Sequence, residues 1–271
     1  MSGPRLFVMI HLFIAPEQIG DGIARISGPS HLHLARVLRV QPGQSVVLLD
    51  NKGNAFLAVL VAVERAGTVA RIEASLTLRT EPSVHITVAQ ALGRCDKFEQ
   101  VIKHGTEVGA AAFIPIRAER SVMDIPAGKL ADRLVRWRQI ARGAAEQSQR
   151  AIIPHVAEPI SLMQLLSTTT GATPVLLLHP SRDAEPLATA LQQCFAERTS
   201  AALVVVIGPE GGWSNAELAL SAKPRPSSAD PVMVVNIGPR ILRTETAALV
   251  AVSQILYHIE TTGFGEQACA Y

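Results

Sequence analysis

Two runs of aliphatic, largely β-branched residues, 203–207 and 232–237, each end at a Gly-Pro pair, and a helical pattern follows each loop. They are apolar at almost every position rather than at alternate ones. That pattern fits strands covered on both faces, the mark of a parallel sheet with helices above and below. The same reading extends upstream, with strands over 84–92, 111–116 and 175–178. Helices are predicted over 97–108, 130–149, 215–222 and 244–258. Phe98, Val101, Ile102 and Val108 share one face of the first, and Leu134, Trp137, Ala141, Ala144 and Ser148 one face of the second. Strand alternating with helix predicts an α/β domain.

The first eighty residues differ. A strand over 46–50 runs into the turn Asn51-Lys52-Gly53-Asn54 and returns over 55–63, a hairpin signal, and a further strand covers 69–78. A short helix is predicted over 31–38, with Leu34, Val37 and Leu38 on one face, stopping before Pro42-Gly43. Short strands with regular turns point to a small barrel. Thr80-Glu81-Pro82-Ser83 reads as a linker, which places domains at 1–80 and 81–271. Exposed loops are predicted over 167–174 and 223–231, and 263–271 has no pattern.

The apolar stretch 6–15 follows Arg5, but it contains His11, lacks a small-residue cleavage site and is too short for a bilayer, so it reads as strand. No other run approaches a membrane span. Cys95, Cys194 and Cys269 form no C-x-x-C pair, so neither a zinc site nor a disulfide framework is expected, and a reducing cytoplasm fits. Hydrophobic residues at 48% against 18% charged leave enough apolar surface for a sizeable core. The net charge of +2 is too small to announce a nucleic-acid partner. Twenty arginines stand against five lysines, as either a phosphate-binding surface or a GC-rich genome would give.

The chemistry concentrates in the loops that close the last two strands, because open α/β sheets bind ligands at the carboxyl ends of their strands. One is Ile207-Gly208-Pro209-Glu210-Gly211-Gly212, followed by Ser214 or Asn215 as a helix cap and Glu217 in the first turn. The other is Ile237-Gly238-Pro239-Arg240-Ile241-Leu242-Arg243-Thr244-Glu245-Thr246-Ala247, with Thr244 as the expected N-cap. Neither is a dinucleotide fingerprint or a P-loop. Backbone groups and small residues suit a neutral adenosine with a methionine tail better than a phosphate. Taken singly, either loop also fits a plain strand-to-helix turn.

Together these two motifs resemble those of the bacterial 16S ribosomal RNA uridine-N3 methyltransferases of the SPOUT superfamily. The likeness runs along the chain in order. Val37-Leu38-Arg39 with Pro42-Gly43 matches first, then Lys97, Glu107-Val108-Gly109, Ile114-Pro115 and Glu119-Arg120. Glu146-Gln147-Ser148 ahead of Pro154 and His179-Pro180 follow. Gln149 departs from the family's usual glycine, and the stretch 223–231 is longer than the pattern.

The resemblance implies a PUA-like β-barrel over 1–80 and a SPOUT α/β domain with a C-terminal trefoil knot over 81–271. Fold rules alone would not propose a knot. It also implies a homodimer, 16S rRNA or the small ribosomal subunit as partner, no metal, and S-adenosylmethionine as cofactor. The residues it points to for the cofactor are Leu178, His179, Gly208, Glu210, Gly211 and Gly212 in the first loops. In the last loop they are Ile237, Gly238, Leu242, Thr244, Thr246 and Ala247.

Methylation at N3 requires loss of the N3 proton, because a neutral imide nitrogen is a poor nucleophile. Arg243 is the candidate to stabilise the uridine anion or position a base, with Glu245 orienting it. The competing reading pairs Arg243 and Glu245 structurally. Arg5, Arg36, Arg39, Arg94 and Lys97 are candidates for RNA phosphate contact, against the alternative of solvated surface charges. Arg133, Arg136, Arg138 and Arg142 read as a solvated helix face. His31 and His33 lack a third metal ligand and read as helix-start histidines. Glu146 and Gln147 read as hydrogen-bonded structural groups. A non-catalytic RNA-binding protein and a nucleotide-dependent oxidoreductase are the rival classes. The intact loops weigh against the first, and the missing dinucleotide fingerprint weighs against the second.

Overall fold

A computed structural model of the chain describes residues 9–93, 95–121, 125–169, 173–196, 202–222 and 232–262. The chain divides into two compact units, Met1–Glu81 with Ala145–Ile153, and Pro82–Ala144 with Pro154–Tyr271. Sequence pattern alone does not single out the segment 145–153 as part of the first unit.

The first unit contains β1 (Ile10–Phe13), β2 (Ile19–Gly20), β3 (Ile23–Ile26), β4 (Ser45–Leu49), β5 (Ala55–Val63) and β6 (Thr68–Leu76). They form one sheet in the order β1-β4-β5-β6-β3-β2, antiparallel except between β1 and β4. Register shifts at Leu57/Ala58 and Leu60/Ala62 interrupt the long β5–β6 ladder, where bulges bend a sheet. Side chains alternate between two apolar clusters. Leu12, Val46, Leu48, Ala58 and Leu60 pack with Leu34 and Val40 on one face. Phe13, Val47, Leu49 and Ala55 pack with Ala145 and Ile153 on the other, so the returning segment covers the second face. Each such Leu or Val contributes about 1.5–3 kcal/mol relative to exposure.

The hairpin turn falls where the sequence puts it. Asp50 accepts hydrogen bonds from the backbone N–H groups of Lys52 and Asn54 and from the Asn54 amide. Burial alone would raise its pKa, but these donors outweigh burial and hold the carboxyl below the ordinary aspartate value. The predicted linker is anchored: Glu81 pairs with Arg150 at 2.6 Å and accepts from the N–H groups of Ala151 and Ile152. Gln149 has φ of 61°, the left-handed region that glycine adopts freely. The expected family glycine is thus explained by backbone geometry. Glu146 has a structural contact, accepting from the N–H of Phe13 at 3.0 Å.

The predicted helix 31–38 needs correction. An α-helical turn, α1 (Gly28–Leu32), passes into a π-helical segment, His33–Leu38, that ends at Arg39 in the left-handed region. Wider winding moves residues off the α-helical face. Leu34 is buried, whereas Val37 and Leu38 are exposed.

The second unit contains β7 (His85–Ala91), β8 (Ala112–Arg117), β9 (His155–Val156), β10 (Ile160–Ser161), β11 (Val175–Leu178), β12 (Glu185–Pro186), β13 (Ala202–Ile207) and β14 (Met233–Asn236). Its helices are α2 (Cys95–Val108), the greater part of α3 (Ala127–Gln147), α4 (Leu162–Thr168), α5 (Leu187–Ala196), α6 (Asn215–Ser221) and α7 (Thr244–Thr262). The strands pair in parallel throughout, in the order β10-β8-β7-β13-β11-β14-β12, with β9 also on β8. One face buries Ala89, Leu177, Val204 and Val206 against Leu162, Leu165 and Trp213. α2 and α7 pack on each other, and α7 also meets β7 and β13.

The faces of α2 and α3 follow the predicted spacing, with Phe98 and Trp137 meeting edge to face at 4.7 Å. Two members depart from it. Val108, in the last turn of α2, is exposed, and Ser148 lies beyond the end of α3. The loop expected at 167–174 begins inside α4, whose cap is built by Ser161 and Gln164. The loop 223–231 and the tail 263–271 lie outside the described residues.

Candidate functional site

β13, β11 and β14 are adjacent and parallel, so the loops at their carboxyl ends meet and wall a cavity of about 530 Å³. From the loop after β11 come Leu178 and His179, and from the loop after β13 come Gly208, Glu210 and Gly212. The loop after β14 supplies Ile237, Gly238, Leu242, Arg243, Thr244 and Ala247. Three residues expected at this site, Gly211, Glu245 and Thr246, are not on the cavity wall. Arg120, Trp213, Asn236 and Arg240 are on it and were not expected from the sequence.

The loop after β13 is held from several sides. Trp213 is buried, and its indole N–H donates to the Leu178 carbonyl at 3.3 Å, which ties this loop to the end of β11. A side chain at position 208 would put its Cβ 2.9 Å from the indole nitrogen, so only glycine allows that approach. Ser214 caps α6 through a capping box with Glu217. The other Glu217 oxygen accepts from the N–H of Glu119 at 2.9 Å. Arg120, next in the chain, donates to the Gly211 carbonyl at 3.3 Å. The sequence places Ser214 and Glu217 as cap and first-turn acid, and the structure adds the tie to Glu119.

Lys97 has a different setting from the RNA contact expected of it. Its ammonium lies 2.6 Å from Glu210 and 3.5 Å from Glu245. The hydrogen bond to Glu210 leads the shift of its pKa above the ordinary lysine value. Partial burial opposes the shift, and the charges of both glutamates add to it. Glu245 therefore faces Lys97 and does not orient Arg243, so the expected Arg243–Glu245 pair does not form. The carboxylate is also claimed by the Thr244 hydroxyl, which donates at 3.2 Å. Thr244 is accordingly the first residue of α7 rather than its cap.

The loop after β14 is much less constrained. Gly238 has φ of +124°, a conformation that side-chain-bearing residues rarely adopt, and its N–H donates to the Asn236 side chain. Ile241 is 87% exposed. Arg243 is exposed on the cavity wall and forms no ion pair among the described residues. Beyond it, Ala247 lines the cavity and Ala248 is buried, the small-residue face expected from sequence. The arrangement offers apolar walls, strand-end backbone and arginine cations at one cavity.

Arg36 and Arg39 are exposed on the first unit, while Arg5 and Arg94 lie outside the described residues. His31 is buried with Nδ1 2.9 Å from the Thr68 hydroxyl, and His33 is exposed. Among the described residues no three potential ligands gather as a metal site, and no helix is long and apolar enough to cross a membrane. Arg120 sits inside a sequence block that the family resemblance had marked. The Lys97–Glu210 pair spans 113 residues and leaves no local signal.

The model of an RNA methyltransferase domain family matches residues 80–256, and that of an RNA methyltransferase PUA domain matches residues 32–72. The ribosomal RNA small subunit methyltransferase E of Synechocystis sp. is 35% identical over 251 residues, covering 92% of this chain and 78% of that protein. The protein of the same name from Bacillus subtilis is 32% identical, covering 87% and 90%. Among solved structures, the ribosomal RNA small subunit methyltransferase E of Neisseria gonorrhoeae, bound to S-adenosyl methionine, superposes with a TM-score of 0.77. It is 28% identical, covering 94% of this chain and 98% of that one.

Proposed function

The chain belongs to the RNA methyltransferase family, and we propose that it transfers a methyl group from S-adenosylmethionine to N3 of one uridine in 16S ribosomal RNA. The observation that carries this reading is the cavity where three adjacent parallel strands end, with Arg243 unpaired on its wall. Its volume falls within the roughly 300–1,000 Å³ of small-molecule sites. Its chemistry fits the cofactor: Leu178, Ile207, Ile237, Leu242 and Ala247 supply apolar surface for an adenine, and strand-end backbone supplies polar partners. The acid on the wall, Glu210, is held by Lys97. Gly211 and Thr246 are assigned a supporting part in these loops rather than direct contact.

Bound there, S-adenosylmethionine supplies an electrophilic methyl on a sulfonium that brings its own leaving group. The protein's part is to place the uridine and favour its N3 anion. Arg243 presents a permanent cation to that developing charge. Glu245 steadies the helix turn that follows Arg243. Arg36 and Arg39, with Arg5 and Arg94, are proposed to meet RNA phosphates from a PUA-like barrel over 1–80, ahead of a SPOUT domain over 81–271. Crossovers that lay β11 between the later strands β13 and β14 support a trefoil-knotted path. A second copy covering Tyr257, 71% exposed on α7, would make the homodimer. No metal enters this reading, and the bacterial cytoplasm is where the substrate is made.

Mass spectrometry of small-subunit rRNA from a strain lacking the gene tests it. One missing N3-methyluridine, restored by the wild-type chain and not by Arg243→Ala, is the expected result. An unchanged nucleoside profile would refute it.

A further inference from the structure

Lys97 occupies the first turn of α2, a helix fixed from behind by Phe98 against Trp137. Its ammonium reaches two separate segments. Glu210, at 2.6 Å, belongs to the loop after β13 and lines the cavity. Glu245, at 3.5 Å, lies in the first turn of α7, two residues beyond Arg243. The Glu210 carboxylate also packs over Gly93, where a Cβ would sit 2.8 Å from its oxygen. The side chains of Lys97, Glu210 and Glu245 are only 25%, 32% and 16% exposed, so solvent and salt screen the cluster less than a surface pair. Lys97 itself is not on the cavity wall.

We propose that Lys97 is a positioning residue for the methyl-transfer site, joining the cofactor loop to the start of α7, and not a contact to RNA phosphate. This rests on the reading of the cavity as the S-adenosylmethionine site. Through Glu210 it sets the loop 208–212, and through Glu245 it sets the turn that carries Arg243. Losing the ammonium leaves two carboxylates facing each other without a counter-charge, and both segments then move apart.

The test uses the full chain with Lys97→Met and Lys97→Arg, titrated with S-adenosylmethionine by calorimetry and with rRNA over a salt series. Lys97→Met is expected to weaken cofactor binding about tenfold or more, and Lys97→Arg to recover most of it. The slope of log RNA affinity against log salt stays that of the wild type in both. Unchanged cofactor affinity in Lys97→Met overturns the proposal. So does a slope reduced by about one, the signature of a lost phosphate contact. Glu245→Gln keeps the size of the side chain and serves if the Met variant does not fold. It is expected to weaken cofactor binding about threefold, and no change there also counts against the proposal. A wild-type chain that binds no S-adenosylmethionine would instead sink the cofactor reading itself, a result distinct from equal binding by wild type and variant.

Discussion

The loops after β13 and β14 wall the same cavity but are built in opposite ways. The first is gripped by Trp213 on Leu178, by the Ser214–Glu217 capping box, by Arg120 on Gly211 and by Lys97 on Glu210. The second projects Ile241 into solvent and leaves Arg243 without an ion pair among the described residues. A rigid loop can hold a ligand at little cost in ordering, because its geometry exists before the ligand arrives. An unpaired guanidinium keeps its full charge for whatever negative group arrives. Binding thus belongs to the loop after β13 and charge stabilisation to the loop after β14.

That division can be broken at named positions. Gly208→Ala should have the largest effect. The new methyl displaces Trp213, breaks its bond to Leu178 and disturbs two walls at once, costing about 1–3 kcal/mol of stability. Calorimetry should show cofactor affinity falling by roughly tenfold or more. Glu217→Ala comes next. It leaves the N–H groups of Ser214 and Glu119 without their acceptor, costing about 1–2 kcal/mol in a denaturant melt. Gly238→Ala should be the mildest. It meets no neighbouring atom and costs only backbone strain, about 1 kcal/mol. If Gly238→Ala weakened cofactor binding as much as Gly208→Ala, the two loops would not differ as argued.

What sequence could reveal follows from how local each signal is. β11 falls exactly on the predicted run, and β13 and β14 within a residue of theirs, because β-branched runs covered on both faces carry their own signature. Both loops were legible because strand ends locate ligands in this architecture. α4 passed unread although Ser161 and Gln164 spell a capping box, since only seven residues follow it. The π-helical winding at 33–38 was hidden because its residues also fit an α-helical spacing. Lys97 was assigned to RNA because a lysine beside arginines looks like surface charge. Its two carboxylates come from far along the chain, and only the fold brings them together. Gln149 shows the reverse case, where a departure from the family pattern marked a left-handed residue before any coordinates did.

Arg243→Ala offers the most direct measurement, with S-adenosylmethionine affinity and methyl transfer to rRNA followed in the same preparation. Turnover is expected to fall by about a hundredfold or more, the size of effect seen when one charge-stabilising donor is lost, while cofactor affinity stays within about twofold. Lost cofactor binding, or turnover left intact, would contradict the assignment of charge stabilisation to this loop.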